Sequence, residues 1–319
     1  MRKVKHFLSI IDLNALEIWQ VLRLAKKLKK ELKIKGKNKP LLSGKQMMMI
    51  FEKPSLRTKL SFDIGISQLG GHPVYFSDKE VGLGIREPIS DVAKVSSSMA
   101  DIIVARVFEH SSIEQLAKYS KVPVINALSD LEHPCQSLAD FLTILEIKRK
   151  LDDLTLVFVG DGENNVAHSL ALGCALLRIN FSCTSPKSFW MKNEVVNKAK
   201  ELAKVSGVSI LETDDPKEAV KDADIVYTDS WISMGDEREK EERLKIFKPY
   251  QVNQKLMDLA KKEAIFMHDM PAYRGNEVTS EVIDGTQSVV LQQAENRLHV
   301  QKASIFSLNN EHETSFKNR

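Results

Sequence analysis

The sequence predicts an α/β fold: two doubly wound parallel-sheet lobes, with the active site in the cleft between them and a C-terminal helix returning to the first lobe. Three observations predict it. Strand-length apolar runs alternate with helically spaced segments along the whole chain. The alternation pauses at the polar stretch 148–153 and then restarts. The 319 residues exceed one typical domain and suit two.

In the first half, residues 47–51 form an apolar run of strand length, and 60–69 have helical spacing that stops at Gly70-Gly71. Residues 74–76, 102–107 and 122–128 read as strands, with a short helix near 113–119 and a longer one over 136–147. In the second half, 154–159 reads as a strand and 166–177 as a helix. Strands follow at 179–183, 208–212, 225–228 and 264–268, then a final helix over 294–308. The tail 309–319 is polar and is expected to fray. The expected domains are 1–148, 149–290 and a returning helix with its tail at 291–319.

Composition narrows the function classes. With 43% hydrophobic and 28% charged residues the chain reads as globular, and a net charge of +3 does not by itself call for a polyanionic partner. The lysine-rich stretch 26–39 is read as a solvated helix face with Trp19, Leu22 and Ala25 turned inward, not as a nucleic-acid or membrane surface. Cys135, Cys174 and Cys183 are too few and too scattered for a disulfide framework or a zinc site. No apolar stretch approaches ~20 residues and no leader pattern opens the chain, so a cytoplasmic protein is expected.

Six segments at the expected carboxyl ends of strands offer chemistry, where open α/β sheets bind ligands. At Ser55-Leu56-Arg57-Thr58, Pro54 stiffens the turn and Ser55 stands at a helix N-cap. The helix amides, two hydroxyls and a guanidinium suit an anion, although the same spacing fits an ordinary capped helix. Arg106 ends an apolar strand and faces either a ligand or a structural partner. His133 and Gln136 open a helix with Pro134 in its first turn. Cys135 between them lacks any sign of thiol activation and is not read as a nucleophile. Gly160-Asp161-Gly162-Glu163-Asn164-Asn165 lacks the third glycine of a dinucleotide fingerprint and instead presents amides. Asp229, with Ser233 and Gly235 after it, suits a cationic amine, or is an exposed turn. His268-Asp269-Met270-Pro271 brings a second carboxylate, or is only a rigid turn. The first half thus supplies cations and hydroxyls, and the second carboxylates and amides.

These motifs, in this order, resemble the aspartate/ornithine carbamoyltransferase family from about His6 to Ile305. Ser55-Leu56-Arg57-Thr58 resembles its Ser-Thr-Arg-Thr phosphate motif, and His133-Pro134-Cys135-Gln136 its His-Pro-x-Gln motif. Asp229 with Ser233-Met234-Gly235 is similar to the loop of ornithine enzymes. Phe51-Glu52-Lys53-Pro54, Pro249-Tyr250-Gln251-Val252 and Ala294-Glu295-Asn296-Arg297 add to the match. The resemblance implies carbamoyl phosphate plus L-ornithine giving L-citrulline and phosphate, without cofactor or metal. It makes 1–148 the carbamoyl-phosphate-binding domain and 149–290 the ornithine-binding domain. It implies that Ser55, Leu56, Arg57 and Thr58 bind the phosphate, and that Arg106, His133, Gln136 and Arg297 hold the carbamoyl group. Asn165, Asp229, Ser233, Met234, Asp269 and Met270 are implied at ornithine, in a homotrimer or an assembly of trimers. Arg57, Arg106 and His133 would stabilise charge on the carbonyl oxygen while Asp229 and Asp269 handle the amine.

Three positions depart from the family pattern. Leu56 replaces a threonine. Gly82 stands where relatives often place a polar side chain that reaches a neighbouring subunit's phosphate, a role that falls here to Lys79, to Arg86 or to no residue. Asp269 replaces the cysteine of His-Cys-Leu-Pro, which leaves room for another amine such as putrescine or an acylated ornithine. Intact Ser233-Met234-Gly235 argues for plain ornithine.

Overall fold

The computed structural model describes residues 5–232 and 240–317, with side chains up to residue 309. The chain divides into two compact units, Met1–Leu142 with Glu295–Arg319, and Thr143–Ala294.

The first unit begins with α1 (Ala15–Lys35), opened by Asn14 and Glu17 in a reciprocal capping box and ended by Gly36 at a φ of 69°. Its apolar face, Ile18, Val21, Leu22, Ala25 and Leu28, is buried. Lys26, Lys27 and Lys30 are exposed, and Trp19 is only half-buried beneath Arg23. The lysine run is therefore the solvated side of an amphipathic helix. There follow β1 (Gln46–Phe51), α2 (Leu56–Gln68), β2 (His72–Ser77), α3 (Asp78–Val81), α4 (Ile89–Met99), β3 (Ile102–Arg106), α5 (His110–Tyr119), β4 (Val124–Leu128) and α6 (Pro134–Lys148). The four strands pair in parallel in the order β2-β1-β3-β4. β3 is buried throughout, as a central parallel strand must be. Ile103 and Ala105 pack with Val92, Ala93, Ile113 and Leu116 from α4 and α5.

The second unit contains β5 (Thr155–Val159), α7 (Asn165–Leu177), β6 (Asn180–Thr184), α8 (Asn193–Ser206), β7 (Ile210–Thr213), α9 (Pro216–Val220), β8 (Ile225–Tyr227), α10 (Lys240–Phe247), α11 (Gln254–Met257), β9 (Ile265–Met267) and α12 (Ser280–Ile283). Its five strands pair in parallel in the order β7-β6-β5-β8-β9. Val157, Val226 and Phe266 from β5, β8 and β9 share a core with Trp231, Phe247 and Val282. The last helix, α13 (Val290–Lys317), starts earlier and runs further than 294–308, so the expected tail is helical through Lys317. No helix among the described residues is long and apolar enough to cross a membrane.

Strand order fixes where ligands can bind. The order in which strands are added reverses between β1 and β3 in the first sheet, and between β5 and β8 in the second. At such points the loops leaving adjacent strands part to opposite sides and open a crevice at the carboxyl edge. Arg106 ends β3, and the other five candidate segments lie in the loops or helix starts after β1, β4, β5, β8 and β9.

Candidate active site

In the first unit the crevice lies after β1 and β3. Ser55 is extended, and its Oγ accepts from Thr58 N–H at 3.3 Å, so it is the N-cap that starts α2. Leu56 and Arg57 occupy the first turn, whose amides have no intrahelical acceptor. The Leu56 side chain is 72% exposed, so this position offers the site its backbone. Glu52 stabilises the preceding turn, taking Phe108 N–H at 2.6 Å while its own N–H donates to Arg106 O at 2.9 Å.

Thr58 Oγ1 gathers two guanidinium groups, accepting from Arg106 Nη1 at 3.5 Å and Arg297 Nη2 at 3.2 Å. Arg297 also donates to Gln136 Oε1, and Gln136 Nε2 donates to Asp140 Oδ1 at 2.8 Å. Thr58, Arg106, His133, Gln136 and Arg297 are all buried. Burial pushes His133 well below the usual histidine range, and the charges of Arg297 and Arg106 push the same way. His133 is therefore a neutral imidazole next to two fixed cations. Burial also drives the Cys135 thiol up to about 12, which agrees with its reading as an inert neighbour.

The second unit places its groups after β5, β8 and β9. Asn164 is the N-cap of α7, and its Oδ1 accepts from Val166 N–H at 2.7 Å. That leaves Nδ2 to donate to Asp229 Oδ2 at 2.7 Å. Thr228 donates to Val159 O at 2.6 Å and ties β8 to β5 just before Asp229. Ser230 N–H donates to the other Asp229 oxygen at 2.6 Å. Asp229, His268 and Asp269 offer side-chain atoms within 4.8 Å of one another. Loss of water raises the Asp229 carboxyl well above the usual carboxylate range, and the negative charge of Asp269 adds to it.

Two influences on His268 oppose each other. Burial disfavours its charge, but Asp269, Glu277 and Asp229 outweigh that and raise it to about 9. Yet Met270 N–H donates to Nδ1 at 2.9 Å, which requires that nitrogen to be unprotonated. The directional contact decides the state in this geometry: a neutral ring carrying its proton on Nε2, 3.3 Å from Glu277 Oε1. Both ring nitrogens are thus engaged, so the cluster is poor at holding a metal and well suited to an ammonium group. Met270, the residue after Asp269, has a φ of 64° and a cis bond to Pro271.

Two family models cover nearly the whole chain: the aspartate/ornithine carbamoyltransferase carbamoyl-P binding domain matches residues 5–146, and the Asp/Orn binding domain of the same family matches 152–308. The chain belongs to the aspartate/ornithine carbamoyltransferase family. It is 52% identical over 300 residues to the ornithine carbamoyltransferase of Caldicellulosiruptor saccharolyticus, covering 94% of this chain and 97% of that one. With the ornithine carbamoyltransferase of Bacillus subtilis it shares 50% identity, over 94% of this chain and 92% of the relative. The ornithine carbamoyltransferase structure from Pyrococcus furiosus superposes with a TM-score of 0.92 at 48% identity, covering 95% of this chain and 96% of that one.

Within this family member, the expected residues fall into two groups. Ser55, Leu56, Arg57, Thr58, Arg106, His133, Gln136 and Arg297 lie in the first unit, and Asn165, Asp229, Asp269 and Met270 in the second. Ser233, Met234 and Gly235 lie outside the described residues. The amide that meets Asp229 belongs to Asn164, the cap, while Asn165 is the first helical residue after it. Glu277 and Gln293 escaped the sequence reading: Glu277 meets His268, and Gln293 accepts His268 N–H at 3.0 Å. Nothing local marks a glutamate nine positions on, or a glutamine on the last helix, as a histidine's partner. At Gly82, φ is 58° and an added Cβ would lie 2.9 Å from Arg86 Cβ, so the backbone turn itself disfavours a side chain there.

Proposed function

We propose that this carbamoyltransferase uses carbamoyl phosphate and L-ornithine, giving L-citrulline and phosphate. One observation carries the reading: each sheet's reversal point holds groups of one chemical kind. Buried guanidiniums share Thr58 in the first unit, and a carboxylate pair capped by an amide stands in the second. An oxyanion substrate and an amine substrate need these two kinds of site.

In the proposed mechanism, phosphate sits on the first turn of α2, bound by Ser55, Arg57, Thr58 and the Leu56 amide. Arg106, His133, Gln136 and Arg297 hold the carbamoyl group. The guanidiniums stabilise the negative charge that grows on the carbonyl oxygen as the amine attacks, while neutral His133 donates a hydrogen bond without competing for a proton. Phosphate leaves onto the helix N-terminus. An alkylamine has a pKa of roughly 10, so ornithine arrives as an ammonium and must lose a proton before attacking. Asp229 and Asp269 bind that ammonium and steer its proton away. Asn165, Ser233, Met234 and Met270 complete the ornithine site.

We also propose a homotrimer, or an assembly of trimers, acting in the cytoplasm. Leu56, Leu60 and Ile64 are exposed at successive four-residue steps of α2 and form an apolar stripe suited to self-association. Free, buried Cys135, Cys174 and Cys183 suit a reducing compartment.

The test is steady-state kinetics with carbamoyl phosphate and a panel of ornithine, putrescine and N-acetylornithine. The highest kcat/KM is expected for ornithine. A preference for either other amine, or no ureido product from any, would overturn the assignment.

A further inference from the structure

Glu132 comes immediately before His133 and is 3% exposed, yet it is a carboxylate. A charge buried this deeply needs donors. Each of its oxygens takes one from the start of the chain: the Ser9 hydroxyl donates to Oε1, and Ile10 N–H donates to Oε2 at 3.1 Å. Those residues belong to an arm ahead of α1 that runs along β4, the edge strand of the first sheet. Phe7 N–H donates to Val124 O at 2.9 Å, Phe7 O accepts Asn126 N–H at 2.8 Å, and Asn126 Nδ2 donates to Leu8 O at 2.8 Å. Phe7 and Ile10 are fully buried, so the arm is anchored in the core. Ser9 Oγ also accepts Ile11 N–H at 3.3 Å, which holds the hydroxyl in place.

The main chain of Glu132 points the other way. Its N–H donates to Ser129 Oγ at 3.3 Å and its O accepts Ser129 N–H at 3.0 Å, closing the turn after β4. The next carbonyl, His133 O, accepts Gln136 N–H at 2.9 Å and Ser137 N–H at 3.2 Å in the first turn of α6. The backbone of His133 is thus pinned by α6 on one side and by Glu132 on the other. Stability alone would be served as well by an apolar residue, because a buried charge contributes little net. We propose that Glu132 is a positioning residue for the carbamoyl site: clamped by Ser9 and Ile10, it sets the place from which His133 reaches the carbonyl oxygen. The inference rests on reading His133 as a donor to that oxygen. The N-terminal arm thereby supports the chemistry, although Ser9 lies 123 positions away in sequence.

Glu132→Leu keeps the bulk and removes both acceptors. In the full-length protein kcat is expected to fall on the order of 10- to 100-fold, the scale of a misplacement by about 1 Å, while the ornithine KM stays within about twofold. Glu132→Gln keeps an oxygen for the Ile10 amide and offers an N–H to the Ser9 oxygen, so it should recover most of the rate. A merely structural role is separated by repeating Glu132→Leu in a His133→Asn background. There the added change should alter kcat by less than about threefold, because the group it positions is already gone. Ser9→Ala, a milder break of the same clamp, should show a smaller fall in kcat and the same loss of effect beside His133→Asn; it carries the test if Glu132→Leu does not fold. A natural kcat in both single variants, or a fall that persists in full beside His133→Asn, would overturn the proposal. His133→Asn as fast as the natural protein would instead remove the reading of His133, and the proposal with it.

Discussion

Asn164 Nδ2 stands 2.7 Å from Asp229 Oδ2, joining the ends of β5 and β8 where the second sheet reverses its strand order. The amide cannot rotate to swap its ends, because Val166 N–H holds the oxygen at 2.7 Å. One residue therefore starts a helix and aims a carboxylate. Asn164→Ala should raise the ornithine KM about tenfold, through loss of one hydrogen bond to a charged group, and leave the carbamoyl phosphate KM unchanged. Separate titrations of the two substrates against initial rate check this.

Thr58 plays the matching part in the first unit. Its hydroxyl oxygen is a shared acceptor for Arg106 and Arg297, which come from β3 and α13. Thr58→Val keeps the volume but removes that acceptor from two buried cations. The expected result is a carbamoyl phosphate KM raised on the order of tenfold and a stability loss of about 1–3 kcal/mol. Urea denaturation with and without carbamoyl phosphate separates the two effects.

The pH dependence of ornithine use tests Asp269. Asp229 is raised first by burial and then by the charge of Asp269, so it ionises at higher pH than an isolated carboxylate. Asp269→Asn removes that charge, and Asp269→Cys removes it near neutral pH. In both variants Asp229 ionises at lower pH, so the acidic limb of the kcat/KM profile for ornithine should move down, with weaker binding of the ammonium. Identical profiles for all three proteins would remove Asp269 from the amine site.

Much of this arrangement is legible in the sequence. Each of the nine strands among the described residues overlaps an expected one, and the central ones are legible because a strand buried on both faces is a continuous apolar run, as in residues 156–159. Ser55 and Pro134 mark their helix starts by chemistry that acts within three or four residues. The misses have physical causes. α4 is Ser-rich, Ile-Ser-Asp-Val-Ala-Lys-Val-Ser-Ser-Ser-Met, and becomes a helix because Ile89, Val92, Ala93 and Ser96 pack inward. α8 is absent from the elements expected from the sequence, although Val195, Val196, Ala199 and Ala203 form a helical face. Glu277 and Gln293 act across turns and between elements, so only the folded chain shows what they hold.

Lys302 gives a stability prediction independent of the chemistry. It is fully buried, with Nζ 2.7 Å from Asn38 Oδ1 and 2.8 Å from Gln68 Oε1, and burial lowers it from 10.5 to about 8. Between those two values the unfolded chain binds the proton more readily than the folded one, so this residue's contribution to stability rises with pH across that window. The differential is roughly 3 kcal/mol. Lys302→Met should flatten that slope, so its stability relative to the natural protein should be more favourable at pH 7 than at pH 10. Thermal unfolding at the two pH values measures it.

The cysteines should be silent. Cys135, Cys174 and Cys183 are buried, and Cys135 is raised to about 12. Iodoacetamide at pH 8 should leave activity unchanged over the time in which it alkylates the urea-unfolded chain completely. Rapid inactivation of the folded enzyme would show a thiolate that this structure does not provide.

The account's central claim is that an oxyanion site and an ammonium site in one chain carry out a single transfer. The most direct measurement follows citrulline and inorganic phosphate together, from carbamoyl phosphate and ornithine, in the natural protein and in Asp229→Asn. The expected result is equal molar yields in the natural protein and a fall in citrulline rate of about 100-fold or more in the variant, in line with loss of a group that acts on the attacking amine. Phosphate released without matching citrulline, or a variant as fast as the natural protein, would contradict it.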